Sequence, residues 1–211
     1  MDERLQRQFA TLDGRLLMVG FGCIAQGVLP LLLRHIGIEP RQMQIISASD
    51  DGADIAADYG IGFTRLEVTR ENYRAVLAAR LGPGDFLLNL SVNVGSVELI
   101  GWCQEQGVLY LDACIEPWAG GYTDTSMSPG ERSNYALREA ARALGGRSDV
   151  TAVVTHGVNP GLVSHFVKQA LLNLAADLLP EVTSPSTRQD WARLAARLGV
   201  RAIHVAERDT Q

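Results

Sequence analysis

The residues best placed to do chemistry begin sixteen positions into the chain. Leu16, Leu17, Met18 and Val19 run without a break into Gly20-x-Gly22-x-x-Ala25, and an apolar helical pattern follows at once. A strand, a glycine turn and a helix in that order form a dinucleotide-binding fingerprint. Gly20 permits the tight turn, Gly22 lets the backbone approach a pyrophosphate, and Ala25 lets helix and strand pack closely. The helix that opens through Cys23 and Ile24 aims free backbone N–H groups and its positive dipole end at phosphates. Gly20, Gly22, Cys23 and Ile24 are therefore candidate cofactor-binding residues.

The rest of such a site falls at the ends of later apolar runs. Ser47-Ala48-Ser49-Asp50-Asp51-Gly52 follows the second run. Asp50 is the candidate for the ribose hydroxyls, and Asp51 is a candidate cap for the next helix. No Arg lies nearby to take a 2′-phosphate, which favours NAD over NADP. Asn89-Leu90-Ser91-Val92-Asn93 closes another run. Asn89, Ser91, Val92 and Asn93 can line the nicotinamide ribose and the cofactor face, or can simply cap a loop.

Cys114-Ile115-Glu116-Pro117-Trp118-Ala119-Gly120-Gly121-Tyr122 is unusual turn chemistry. Glu116 can accept hydrogen bonds from an ammonium group, and Trp118 can offer a cation–π face. The alternative is a packed loop with Trp118 in the core and Glu116 on the surface. In His156-Gly157-Val158-Asn159-Pro160-Gly161, Pro160 suits the first turn of a helix and Asn159 its cap. That role is compatible with Asn159 touching a ligand. An imidazole such as that of His156 can transfer protons near neutral pH, with a structural role as its default. His35, His165 and His204 lie in helix or strand patterns and receive no role.

The elements that must position these residues alternate. Strand patterns cover Leu16–Val19, Gln44–Ala48, Gly62–Val68, Phe86–Leu90, Val108–Leu111, Thr151–Thr155 and residues 200–206. Helical patterns cover residues 24–35 (interrupted by Pro30), Asp51–Tyr59, the stretch capped by Thr69 through Leu81, Val94–Gln106, Glu131–Leu144, the stretch from Pro160 to Asp177, and residues 187–198. This alternation predicts an α/β fold with a doubly wound parallel sheet. Ligands then bind beyond the carboxyl ends of the strands, where all the loops above fall.

Composition narrows the classes. The 211 residues have a formal net charge of −5, which leaves no electrostatic footprint for nucleic acid. Arg, Asp, Glu or Gly interrupts every apolar run before it reaches membrane-spanning length. The N-terminus has no apolar signal core. Cys23, Cys103 and Cys114 lack C-x-x-C spacing, which argues for reduced thiols, a cytoplasmic setting and no metal site. Of the 19 basic residues only Lys168 is a lysine, and its apolar helical setting suits a snorkelling side chain better than a Schiff base.

Together the stretches GFGCIAQG, NLSVNV, DACIEPWAGGYTD, THGVNPGLVSHFVKQAL and IHVAERDTQ closely resemble the bacterial homospermidine synthases, within the wider saccharopine dehydrogenase-like Rossmann group. The resemblance runs from about Gly14 to Gln211. It implies bound NAD as a redox catalyst. Putrescine is oxidised to an imine, a second putrescine attacks with loss of ammonia, and re-reduction gives homospermidine. It also implies a diamine substrate, putrescine or spermidine, and a homodimer at full length. By the same resemblance Glu116, Asn159 and Glu207 are the catalytic residues. Glu116 and Glu207 hold ammonium groups, and Asn159 positions the amine or imine. Asn93 and Trp118 join them in binding substrate, and Pro160 is counted with the cofactor-binding residues.

The chain departs from the family where Asn93 replaces an acid, where Ala25 replaces a Gly, and where Ser49 takes the usual acid position beside Asp50. Family members also continue beyond the ERDTQ segment. The expected organisation is a Rossmann domain over 1–178, with 179–211 as the start of a truncated substrate or dimerisation domain or the last Rossmann elements. Two other functions fit the residues. One is a related NAD-dependent amine or amino-acid dehydrogenase, although Arg208 is the only Arg in the motif loops to meet a carboxylate. The other is a non-catalytic NAD-binding fragment.

Overall fold

The computed structural model describes residues 7–146 and 149–206. The chain divides into two compact units, Met1–Thr155 and His156–Gln211.

The first unit is built on a six-stranded sheet. A short pair precedes it, in which β1 (Ala10–Thr11) lies parallel to β3 (Ile36–Gly37). The sheet itself contains β2 (Leu16–Val19), β4 (Met43–Ser47), β5 (Gly62–Arg65), β6 (Phe86–Asn89), β7 (Leu109–Asp112) and β8 (Ala152–Val153). Its order is β5-β4-β2-β6-β7-β8, and every neighbouring pair is parallel. Sequence order reverses direction between β2 and β6, which is the topological switch point of a doubly wound fold.

Side-chain alternation along the strands explains the two layers of helix. Leu16 and Met18 of β2 enter one buried cluster, with Ala25 and Leu29 of α1 (Cys23–His35) and Ala56 of α2 (Ala53–Asp58). Leu17 and Val19 point the other way. They join Val76 and Leu77 of α3 (Tyr73–Ala78) and Leu99 and Ile100 of α4 (Ser96–Gln106). Both faces are thereby covered, as near-continuous apolar strands require. α5 (Asn134–Ala143) adds Ala141 to the second face.

Some expected boundaries move. α1 runs through Pro30 as one helix. Thr69 does not start α3: the helix begins at Tyr73, and the Asn72 side chain instead accepts the Thr69 N–H at 2.8 Å.

The second unit is helical among its described residues. α6 (Leu162–Leu178) and α7 (Arg188–Arg197) share a small core of Leu171, Ala175 and Leu194. Thr187 caps α7 in a reciprocal capping box with Asp190. Lys168 lies 5.3 Å from the Trp191 ring, a cation–π contact. The expected strand over 200–206 does not form within the described residues. The alternating Ile203 and Val205 are exposed, because a strand pattern forms ladder bonds only where a sheet edge is offered. Among the described residues no helix is long and apolar enough to cross a membrane.

Candidate functional site

The glycine turn leaves the carboxyl end of β2 and enters α1. Gly20 has φ 85°, and a Cβ there would come within 2.7 Å of the Ser91 backbone. Only glycine satisfies both demands. Gly22 is different. It is exposed at the N-cap of α1, and a Cβ there would meet nothing within 4 Å. Packing does not require this glycine, so the open space in front of it is what its missing side chain preserves. Cys23 and Ile24 are exposed in the same first turn, which carries no acidic residue and no side-chain cap. A helix start of this kind fits an anionic pyrophosphate.

The end of β4 corrects the expectation that no Arg lies near Asp50. Parallel pairing sets Ser47 opposite Arg65, and Arg65 Nη1 reaches Asp50 Oδ2 at 2.9 Å. Strand pairing brings in this cation, and the local stretch gave no sign of it. Asp51 does not cap α2 either. The N-cap is Gly52 at φ 78°, while Asp51 accepts the Ser49 hydroxyl at 2.8 Å.

A cleft of about 1000 Å³ opens along this sheet edge, past Gly20, Ser91, Val92 and Asn93. Val92 is 74% exposed, and Asn93 has a left-handed backbone at φ 62°. Asn93 C=O accepts the Ala119 N–H at 3.1 Å, which ties the two loops together. Asn89 is buried beneath them. Its Oδ1 takes the Ser91 hydroxyl at 2.5 Å, and its Nδ2 donates to the Tyr110 hydroxyl at 3.3 Å.

Glu116 is half-buried on the loop after β7. Burial pushes its carboxyl above the usual range, and the nearby Asp112 charge adds to this; Cys114, Tyr122 and the Asn93 N–H partly oppose the shift. Among the described residues it has no cationic partner. Trp118 is 7% exposed and sits in the hydrophobic core, its ring 5.5 Å from that of Tyr73, while also lining the cleft. This is the packed-loop arrangement for Trp118, but Glu116 is not on the open surface.

One group received no role from the sequence. Asp112 is fully buried at the end of β7, and burial raises its carboxyl pKa. The only advance signal was an acid ending an otherwise apolar strand.

The second unit holds the Asn159–Pro160 segment. Asn159 does not cap α6 and Pro160 does not open it. The N-cap is Gly161, the helix begins at Leu162, and the Asn159–Pro160 peptide is cis. The loop closes on itself through the Leu162 N–H, which donates to Gly157 C=O at 2.9 Å. The His156 ring meets His165 edge-on at 5.4 Å. Glu207 lies outside the described residues.

Residues 16–153 match the model of the saccharopine dehydrogenase NADP binding domain. The chain is 48% identical over 95% of its length to a homospermidine synthase of Blastochloris viridis, and spans 43% of that protein. It is 42% identical over 96% of its length to one from Mesorhizobium japonicum, again spanning 43% of it. The homospermidine synthase of Legionella pneumophila in complex with NAD is a structural neighbour. Its TM-score is 0.78 at 37% identity, covering 90% of this chain and 39% of that one. The chain thus spans less than half the length of the relatives it matches.

Proposed function

The chain belongs to the family of the saccharopine dehydrogenase NADP binding domain, and from that premise we propose that it binds NAD and serves the synthesis of homospermidine from putrescine. The observation that carries this reading is Glu116. It is a half-buried carboxylate without a cationic partner among the described residues, on the same sheet edge as the dinucleotide turn. A diammonium substrate is the complement such a group lacks.

Bound NAD supplies an acceptor that takes a hydride from the amine carbon and later returns it, so that two putrescines give homospermidine and ammonia with no net redox change. The chain's own residues bind and orient. The N–H groups of the α1 start hold the pyrophosphate, with Gly22 leaving room for it. Asp50 accepts from the ribose hydroxyls through the oxygen that Arg65 does not engage. Asn89 sets Ser91, which with Val92 and Asn93 lines the nicotinamide side. Glu116 holds one ammonium group and Glu207 another. The family resemblance assigns Asn159 to the amine nitrogen and Pro160 to the cofactor, and Trp118 lines the cleft of the first unit. The names of the relatives at 48% and 42% identity, and the NAD-bound structural neighbour, support this reading.

The test is incubation of the purified chain with putrescine and a trace of NAD⁺, followed by mass spectrometry. Homospermidine in excess of the NAD⁺ supplied is the expected result. NAD⁺ binding without product rejects the chain as a working synthase and leaves an NAD-binding module. Absence of NAD⁺ binding rejects both.

A further inference from the structure

We infer that Ser96, by holding both main-chain groups of Glu116, positions that residue for the diamine. The inference rests on the reading of Glu116 proposed above. Ser96 is fully buried at the first position of α4. Its N–H donates to Glu116 C=O at 2.8 Å, and its Oγ accepts the Glu116 N–H at 3.0 Å. One residue therefore holds both main-chain groups of Glu116. No cation among the described residues holds the carboxylate itself, and the clamp fixes the main chain from which it projects.

The clamp is anchored from below. The Ser96 hydroxyl lies beside both the Asp112 carboxylate and the Tyr110 hydroxyl. A hydroxyl has one proton to give and two lone pairs to accept with. With the Glu116 N–H on its accepting side, the Ser96 proton is left for these buried oxygens. The Tyr110 hydroxyl donates to Asp112 Oδ2 at 2.8 Å, and the Thr155 N–H donates to Oδ1 at 2.6 Å. Thr155 stands at φ 58°, an uncommon backbone for a β-branched residue, where its N–H meets Asp112. Asn89 donates to Tyr110 in turn, so the node reaches the Ser91 loop on the cofactor side. Hydrogen bonds among buried groups rigidify what they hold, and rigidity is what a positioning role needs.

The charged and titratable groups around Glu116 are Cys114 and Tyr122 on its own loop and Asp112 at the end of β7. The Asn93 N–H faces it from the loop after β6. Of these groups only Asp112 is an acid. Replacing it with Asn therefore lowers the Glu116 pKa.

The experiment is calorimetric titration of the NAD⁺-loaded chain with putrescine across pH. It compares wild type with Glu116→Gln, Ser96→Ala, Ser96→Thr, Ser96→Cys and Asp112→Asn, and adds NAD⁺ affinity and amide exchange at residue 116. Ser96→Ala removes the acceptor of a buried N–H. It is expected to weaken putrescine binding about tenfold and to speed exchange at Glu116, with NAD⁺ affinity unchanged. Ser96→Thr, which keeps the hydroxyl, recovers binding. Asp112→Asn moves the acid limb of putrescine binding to lower pH by removing the charge beside Glu116, and Ser96→Cys, which keeps the size but is a weak acceptor, carries the positioning test if Ser96→Ala does not fold. Wild-type putrescine affinity in Ser96→Ala, alongside weak binding in Glu116→Gln, overturns the positioning role alone. So does parallel loss of NAD⁺ and putrescine affinity in both node variants. Putrescine binding by Glu116→Gln equal to wild type, or none by the wild type, overturns the reading of Glu116 itself.

Discussion

The two edges of the six-stranded sheet treat a buried carboxylate in opposite ways. At the amino edge, Asp85 is 6% exposed. It accepts the Arg15 N–H at 2.7 Å, Arg15 Nε at 3.0 Å, Arg15 Nη2 at 2.7 Å and the Gly82 N–H at 2.8 Å. Burial pushes its carboxyl up, but the Arg15 and Gly82 N–H bonds with the Arg15 guanidinium prevail and hold it below the usual range. At the carboxyl edge, the donors to Asp112 and Glu116 among the described residues are neutral, and burial raises both. The amino edge is electrically closed and has only to hold the starts of β2 and β6 together. Among the described residues neither acid of the carboxyl edge is paired with a cation.

The sharpest way to break this contrast is at the dinucleotide turn. Gly22→Val places a side chain in the open space before α1. It is expected to lower NAD⁺ affinity at least about 100-fold, roughly 2.7 kcal/mol, with little change in melting temperature. Unchanged affinity by calorimetry would remove the cofactor argument. Next comes Glu116→Gln, which should weaken putrescine binding by on the order of tenfold or more and leave NAD⁺ binding intact. Equal loss of both would show a folding role instead.

Asp85→Asn tests the closed edge. It is expected to cost about 1–3 kcal/mol in chemical denaturation, with both ligand affinities unchanged. Acidification should separate the two edges in order. Glu116 loses its charge as pH falls through a value above its ordinary 4.5, so putrescine affinity declines first. The stabilisation from Asp85, present above its ordinary 3.8, is lost only as pH falls through its lowered folded value. Unfolding that precedes loss of putrescine binding would contradict this order. The smallest effect is expected at Asp50→Ala. This variant frees Arg65 for a 2′-phosphate and should shift preference towards NADP⁺ by on the order of tenfold. An unchanged ratio of NADP⁺ to NAD⁺ affinity would mean that the Asp50–Arg65 pair does not choose the cofactor.

Two candidate loops, one in each unit, also differ in how legible they are. The turn at Gly20–Ile24 was readable residue by residue, because everything it does is backbone chemistry within one local stretch. The Asn159–Pro160 segment misled for a related reason. Asn followed by Pro is good capping chemistry, but Gly161, at φ 133°, makes the turn into α6 one residue later. The strand pattern over 200–206 shows the same limit, since alternation indicates what a segment would do beside a sheet edge and not whether an edge is there.

Sequence alone determined the β2–turn–α1 unit, the parallel doubly wound sheet and the edge at which its ligand-binding loops gather. Hydrophobic period, glycine chemistry and helix length are local properties that neighbouring residues carry among themselves. Only the tertiary structure decided that Arg65 meets Asp50, that Trp118 turns into the core and that Ser96 clamps Glu116 from 20 positions away. Those pairings depend on strand order and register, which bring side chains distant in sequence within hydrogen-bonding reach, where no local pattern can register them.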